Sequence, residues 1–489
     1  LAKVAPAHKI SSDILNDLKK TKIIATLGPA CDNPKTILAL IQHGVNIFRI
    51  NCSHTDEAGI RRLVRMVRSV AKKVDLPVGV LVDLQGPKIR VGEFLDREMK
   101  LMRGSTVTLK VTKDKSDGSF IPVQYEGFYD DVENGGRILL DDGKIGLEVL
   151  LKAHGVIKAR VINGGTLLNK KGINLPDSTI TADPITKTDL ENLQTGLEEG
   201  ADFVALSFVS KAEEILEMKS IIKKQGKLTA VVAKIERHEA VKNMDSIIEV
   251  SDAVMIARGD LGVELPLSTV PVIQRKIIHK CHKMAKPVIV ATQMMESMIS
   301  NPRPSRSDVS DVSGAVHAYA DALMLSGETS TGSYPVECVT EMRSTALEME
   351  NYQTSGSTIR QWEMRKVVPD QAEAIAKAGV SLGELLNVKG IVVVTKSGFM
   401  VKQMAALHPT LPVYAFTPHE MTMRQLAMVR GVFPFCLKFK KEFTFSLPAM
   451  MKHLKQKGFL RKNDKVVIVA GVKAGNVDGT NTVRVETVV

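Results

Sequence analysis

The sequence predicts an α/β fold: a (β/α)8 barrel carrying an inserted small β-barrel module, followed by a second α/β domain. Three observations lead there. Unbroken Val/Ile/Leu/Ala runs of strand length recur, as parallel strands covered on both faces require. Helical stretches alternate with them. A Gly-rich interval without helical periodicity then splits the series into three strands before it and five after it. Eight such units point to a closed barrel rather than an open sheet.

A helix-like lead over 11–20 precedes the first apolar run, KIIATLG (22–28). NPKTILALIQHG (33–44) reads as a helix, VNIFRIN (45–51) as a strand, EAGIRRLVRMVRSVAKKV (57–74) as an amphipathic helix and LPVGVLVD (76–83) as a third strand. From about Pro87 to Asp183 turn pairs multiply, among them Asp117-Gly118, Asn134-Gly135 and Asp142-Gly143. Short alternating segments lie between them: STVTLKV (105–111), RILLDD (137–142) and KARVIN (158–163). The βα rhythm resumes with a helix at 186–200 and strands at 202–208, 229–235, 252–257, 286–292 and 321–326. A polar linker is read at 352–361. It is followed by a helix at 370–386, strands at 390–395, 411–416 and 465–472, and the closing segment TVRVETV (482–488). The division that follows is a lead over 1–19, a barrel over 20–86 and 184–351, an inserted module over 87–183 and a C-terminal α/β domain over 352–489.

Lys plus Arg number 66 against 54 Asp plus Glu, a formal charge of +12 with a pI near 9.3. That balance favours anionic ligands. Nucleic acid is the rival, but aromatics make up 4% of the chain with a single Trp, which leaves little for base stacking. The five cysteines are scattered with no CxxC, a pattern of reducing compartments. No apolar stretch is long enough to span a bilayer and the first residues lack the apolar core of a secretory signal, so the cytoplasm is the expected compartment.

The chemistry gathers at strand ends, where barrel enzymes keep it. VVAKIE (231–236), VMIARGDLG (254–262), VIVATQMMESM (288–298) and LMLSGET (323–329) end in Lys-x-Glu, Arg-Gly-Asp, Thr-Gln and Ser-Gly-Glu. Glu236 and Asp260 are two carboxylates at one rim, suited to Mg2+ with coordination positions left for substrate oxygens. Lys234, two residues before Glu236, points to the same side of its strand and offers an ammonium for a transferring phosphoryl group or an enolate. Gly259 lets the backbone approach a ligand, and Thr292 and Ser326 supply hydroxyls. A second group, Arg49, Asn51, Ser53, Asp83 and Arg90 in FRINCSH (48–54) and VDLQGPKIR (82–90), reads as lying at the other end of the barrel; its arginines offer forks for phosphate. Residues alone indicate a Mg2+-dependent barrel enzyme acting on a small phosphorylated anion. They leave phosphoryl transfer and carbon–carbon lysis through an enolate (a lyase or aldolase) both open.

The ordered strings KIIATLGPA, FRINCSH, DLQGPKIR, NKKGINLP, AKIE, ARGDLGVE, ATQMMESM, NPRPSRSD and MLSGETSTGSYP closely resemble pyruvate kinase. The resemblance covers the barrel, the inserted module and, more loosely, the C-terminal domain. It implies phosphoryl transfer from phosphoenolpyruvate to ADP at the end of glycolysis, a module that closes as a lid, a regulatory C-terminal domain binding a phosphorylated effector, and a homotetramer. By the same resemblance Lys234 stabilises the transferring group and the enolate, and Glu236 and Asp260 hold Mg2+, for which Mn2+ can substitute. Gly259, Asp260 and Thr292 match the phosphoenolpyruvate carboxylate site, Arg49 its phosphate. Asn51, His54, Arg90 and Lys171 match the nucleotide side. Thr292 and Ser326 match hydroxyls implicated in protonating enolpyruvate.

Some positions depart from the family pattern. The monovalent-cation site of potassium-dependent members falls on Asn51, Ser53, Asp83 and Leu84. Leu84, Gln85, Lys88 and Val91 stand where those members carry Thr, Lys, Glu and Thr. The expectation is that the Lys88 ammonium replaces the cation and that K+ is not required. Thr55 follows Ser-His where Gly is usual, which predicts backbone strain if that position has positive φ. Thr395, Lys396, Ser397 and Gly398 resemble the start of the sugar-phosphate effector loop. Phe399 and Met400 replace its usual basic and hydroxyl residues, so an effector other than fructose 1,6-bisphosphate is expected.

Overall fold

The computed structural model describes residues 18–354, 371–438, 446–471 and 480–489. Eight parallel strands form a closed barrel: β1 (Lys22–Thr26), β2 (Ile47–Asn51), β3 (Gly79–Asp83), β4 (Phe203–Leu206), β5 (Ala230–Ile235), β6 (Ala253–Ala257), β7 (Val288–Ala291) and β8 (Ala322–Leu325). Each pairs with its successor, and β8 returns to β1 with Ala322 opposite Lys22. Side chains along each strand alternate between two cores. Ile24, Ile47, Leu81, Val232, Met255 and Ile289 fill the barrel interior. Their neighbours Ile23, Phe48, Val80, Val231, Val254 and Val288 pack outward against the helices. Both faces are therefore apolar, which is why these strands read as unbroken runs.

The helices follow the apolar stripes. Glu57–Val74 buries Ile60, Leu63, Val64, Val67 and Val70, and begins at Asp56, whose side chain accepts from Gly59 N. Helix Lys187–Glu198 opens with a capping box of Thr186 and Asp189. The linker read at 352–361 is helical as far as Thr354, the end of helix Pro335–Thr354. Gln353 is buried there and donates to the carbonyls of Val316 and His317. The remainder of that linker and residues 11–17 of the lead lie outside the described residues.

Between β3 and β4 the chain builds a six-stranded sheet and a two-stranded ribbon (Glu98–Leu101 with Gly165–Leu168). They share an apolar core that includes Leu101, Leu109, Ile121, Ile138, Leu147 and Leu167. This inserted module leaves the barrel at Gln85–Gly86 and returns at Thr186. The buried Asp189 carboxylate ties both crossings, accepting from Gln85 N (2.9 Å), Gly86 N (3.2 Å), Thr186 N (3.0 Å) and Thr186 Oγ1 (2.7 Å). Gly86 has φ +68° and a Cβ there would stand 2.9 Å from the Phe208 ring, so both conformation and space call for glycine.

The C-terminal domain is a five-stranded sheet of β9 (Ile391–Val394), β10 (Val413–Thr417), β11 (Val432–Cys436), β12 (Lys465–Gly471) and β13 (Thr480–Thr487), in the order β11-β10-β9-β12-β13. β13 runs antiparallel to β12 and the rest are parallel. This domain caps the barrel floor. Met428 joins the interior cluster of the barrel, and Arg424 pairs with the buried Asp202 at 2.7 Å. Among the described residues no helix is long and apolar enough to cross a membrane.

Candidate active site

Parallel strands all end at one rim, so the strand-end residues of the second group, Arg49, Asn51 and Asp83, share one mouth with the first group, while Arg90 lies in the inserted module. This corrects the placement of the second group. Arg49 on β2, Asp83 on β3 and Lys234 on β5 form one buried chain of charges. Arg49 Nε lies 2.6 Å from Asp83 Oδ2, and Lys234 Nζ lies 3.2 Å from Asp83 Oδ1 and 2.9 Å from Glu236 Oε1. Lys234 Nζ also donates to Ser207 Oγ (2.7 Å), and Arg49 Nη1 to Thr26 Oγ1 (3.2 Å). Glu236 Oε2 accepts from Phe208 N (2.8 Å). Asp83 Oδ1 is buried without an aligned hydrogen bond although the Lys234 ammonium stands beside it.

The electrostatics follow. Burial opposes the charge on Lys234, but Asp83 and Glu236 outweigh it and hold the ammonium above the ordinary lysine value. Burial alone would raise the Asp83 carboxyl; Lys234 and Arg49 reverse that and keep it low. Burial pushes Glu236 above the ordinary carboxylate value, Lys234 pulls it down, and the Asp260 carboxylate pushes it up again. A buried Glu236 carboxyl pushed up by a neighbouring carboxylate is a fitting bed for a divalent cation, which would relieve that repulsion. Among the described residues no three His, Cys, Asp or Glu side chains gather into a ligand set, so remaining positions would fall to substrate oxygens and water.

Asp260 and Gly259 lie in the first turn of a short helix, Arg258–Glu264, directly after β6. Across from them Thr292 follows β7 with φ +67°, and Gln293 has φ +53°. A β-branched residue in the left-handed region is a strained conformation. Thr292 Oγ1 accepts from Gly259 N (2.8 Å) and donates to Ala291 O (2.6 Å). A Cβ on Gly259 would meet Thr292 Oγ1 at 3.3 Å. Ser326 follows β8, its N–H donating to Glu328 Oε2 (2.7 Å), while Glu328 Oε1 takes Met295 N (3.1 Å).

The residues matched to the nucleotide side stand further out. His54 is exposed, and the Asn51 side chain accepts from Ser53 N (3.1 Å). In the inserted module, Lys171 pairs with Asp141 at 2.8 Å and Arg90 donates to Lys170 O. Thr55 does not have positive φ, so the strain expected there is absent. Lys88 is exposed, and a Cβ at Gly172 of the inserted module would lie 3.4 Å from its Cε. Among the described residues no hydrogen bond or ion pair holds its ammonium. Leu84 is buried and its carbonyl accepts from Ser207 Oγ. In the C-terminal domain Thr395 Oγ1 accepts from Gly398 N (2.9 Å), Gly398 has φ +83°, Phe399 is exposed and Met400 buried. Lys396 and Ser397 belong to the same turn.

Three participants escaped the reading of the sequence: Ser207, Arg258 and Glu328. Ser207 comes directly after β4 (Phe203–Leu206), and the rule that strand ends carry chemistry finds it. Arg258 and Glu328 sit inside motifs whose neighbours drew the attention.

The pyruvate kinase barrel-domain model matches residues 18–339, and the pyruvate kinase alpha/beta-domain model matches residues 373–486. The chain belongs to the pyruvate kinase family. It is 40% identical over 476 residues to Pyruvate kinase 2 of Synechocystis sp., covering 96% of this chain and 79% of that one. It is 38% identical over 477 residues to the pyruvate kinase of Sporosarcina psychrophila, covering 96% and 81%. Pyruvate kinase of Staphylococcus saprophyticus is 37% identical over 482 residues. As a family member the chain is a phosphotransferase, and the barrel mouth is where its charged strand-end residues meet.

Proposed function

We propose that the chain transfers the phosphoryl group of phosphoenolpyruvate to ADP, giving pyruvate and ATP as the last step of glycolysis in the cytoplasm. The observation that carries this reading is the buried ammonium of Lys234 held between Asp83 and Glu236. It is a fixed, permanently charged donor aimed where a phosphoryl group and an enolate oxygen must share negative charge. Arg49, anchored by Asp83, presents its guanidinium to the phosphate. The substrate carboxylate takes over the Gly259 N–H that Thr292 Oγ1 otherwise holds, beside Asp260. That frees the Thr292 hydroxyl which, with Ser326, relays a proton to the enolate carbon. Glu236 and Asp260 would hold Mg2+, or Mn2+ in its place, and the bound ion supplies neutralising charge to phosphate and carboxylate oxygens. Asn51, His54, Arg90 and Lys171 line the nucleotide side, and the lid excludes water that would otherwise take the phosphoryl group.

The barrel mouth with its lid favours this reading over a lyase, which has no use for a nucleotide clamp. Potassium independence, with Lys88 replacing the monovalent ion near Asn51, Ser53, Asp83 and Leu84, belongs to the same proposal. Lys88 lies on the segment that leads into the lid, and lid closure brings its ammonium inward. Assembly as a homotetramer and binding of a phosphorylated effector at Thr395–Gly398 complete it. A lactate-dehydrogenase-coupled assay with and without ADP tests the reaction. Pyruvate appears only with ADP if the proposal holds, and pyruvate release without ADP would favour the lyase. Run in tetramethylammonium buffer, the same assay gives the KCl rate; strong activation by KCl would remove Lys88 from its role.

A further inference from the structure

Thr292 and Gln293 are consecutive non-glycine residues in the left-handed region, with φ of +67° and +53°. Neither conformation is one its side chain favours, so such a turn persists only where its surroundings hold it. The surroundings here are largely one side chain. Arg258 Nε and Nη2 both donate to Thr292 O (3.3 and 2.9 Å), and Nη2 also donates to Gln293 O (2.6 Å). Its remaining nitrogen, Nη1, lies 3.1 Å from Asp311 Oδ2 on helix Arg306–His317. The guanidinium is largely buried, its side chain 11% exposed. The next residue completes the grip: Gly259 N donates to Thr292 Oγ1 at 2.8 Å. Without substrate, residues 258 and 259 therefore hold the same turn from two sides, one by its carbonyls and one by its hydroxyl; once a substrate carboxylate takes the Gly259 N–H, the carbonyl grip of Arg258 remains.

We propose that Arg258 is a positioning residue for the reaction: by binding the carbonyls of Thr292 and Gln293 it fixes the left-handed turn that sets where the Thr292 hydroxyl stands. This rests on the reading of Thr292 as a group at the substrate given above. Arg258 does not serve as a phosphate fork, because its nitrogens are committed to two carbonyls and to Asp311. A lysine cannot reproduce the arrangement, since a single ammonium does not present the planar fork that meets both carbonyls and the carboxylate together. Asp311 acts one step further out, orienting the guanidinium.

The test uses the full chain and three substitutions. Arg258→Met lowers kcat about a hundredfold, the scale expected when a reacting group is displaced, with KM for ADP unchanged. Gln293 is exposed, and glycine takes positive φ without a steric cost, so Gln293→Gly alone is the reference against which the double variant is read. Combined with Arg258→Met it restores kcat about tenfold by removing part of the strain the clamp had to hold. A purely structural or purely electrostatic arginine would not be rescued by a glycine in the turn. If Arg258→Met fails to fold, Arg258→Lys, which keeps stem and charge, is read in its place with the same rescue. Arg258→Met with kcat within about twofold of the parent overturns the inference, as does a double variant no faster than the single one. A parent chain that makes no pyruvate from phosphoenolpyruvate and ADP instead refutes the proposed function; an active parent without rescue refutes this inference alone.

Discussion

At the scale of single residues the site depends on compensation. Lys234 is shared by Asp83 and Glu236, and its raised pKa means the stabilisation from its charge is fully present below the ordinary value of 10.5. It is lost only as pH rises through the still higher folded value. Lys234 therefore stays an ammonium across neutral pH, and an alkaline fall of kcat between pH 8 and 9 belongs to another group. Lys234→Met removes turnover by a factor on the order of a thousand, as losing a preorganised charge does. It leaves phosphoenolpyruvate binding, read by calorimetric titration, largely intact. Turnover unchanged in that variant would end its assigned role. The Lys234–Glu236 pair was legible because residues two apart on a strand share a side. The partnership with Asp83 was not, since β4 stands between β3 and β5 in the ring and only barrel closure brings their ends together.

At the scale of elements the two crossings between barrel and inserted module meet at Asp189. One buried carboxylate serves both as the capping-box residue of helix Lys187–Glu198 and as acceptor for the two backbone amides where the chain departs into the inserted module. Asp189→Asn trades an acceptor-only group for one whose NH2 cannot accept. The loss is about 1–3 kcal/mol of stability for buried amides left without a partner. Amide exchange at Gln85 and Gly86 then accelerates and kcat falls, whereas unchanged protection there would show that the crossings do not need the charge. The strands and helices of the barrel were legible because two-sided burial and amphipathic stripes mark them in sequence. The strands of the inserted module were read only in part. Ile145–Ala153 carries exposed residues Leu150 and Leu151 that blur its alternation, and Ile173–Asn174 is a two-residue strand with no pattern to read. The first three residues read as linker, 352–354, belong to a helix instead: their polar composition conceals Gln353, buried through two backbone carbonyls.

At the scale of the molecule the barrel floor and the C-terminal domain are joined by a buried polar network. Arg430 lies 3.5 Å from Glu350, donates to Gln353 Oε1 (2.9 Å) and contacts Thr21 Oγ1, and the Glu350 carboxylate accepts from Lys20 N, Thr21 N and Thr21 Oγ1. Arg430 and Glu350 are 6% and 5% exposed, so removing one partner strands the other in the interior. Glu350→Met alone costs about 3–5 kcal/mol, while Glu350→Met with Arg430→Met recovers much of the loss, because a buried pair replaced by apolar side chains is often neutral. Calorimetry should show a lowered transition for the single variant and recovery for the double one; equal destabilisation would place the energy in the backbone amides instead. The network also closes around the first strand. Thr21 is held by Glu350, and Lys22 donates to Val432 O at 2.6 Å. At the far end of β1, Thr26 Oγ1 accepts from Arg49 in the mouth, and Thr26 N–H is taken by Thr329. Five residues of extended backbone are a stiff rod roughly 16 Å long. A tilt of the C-terminal domain that draws Val432 from Lys22 thus pulls one end of a taut tether whose other end steadies Arg49 in the barrel mouth.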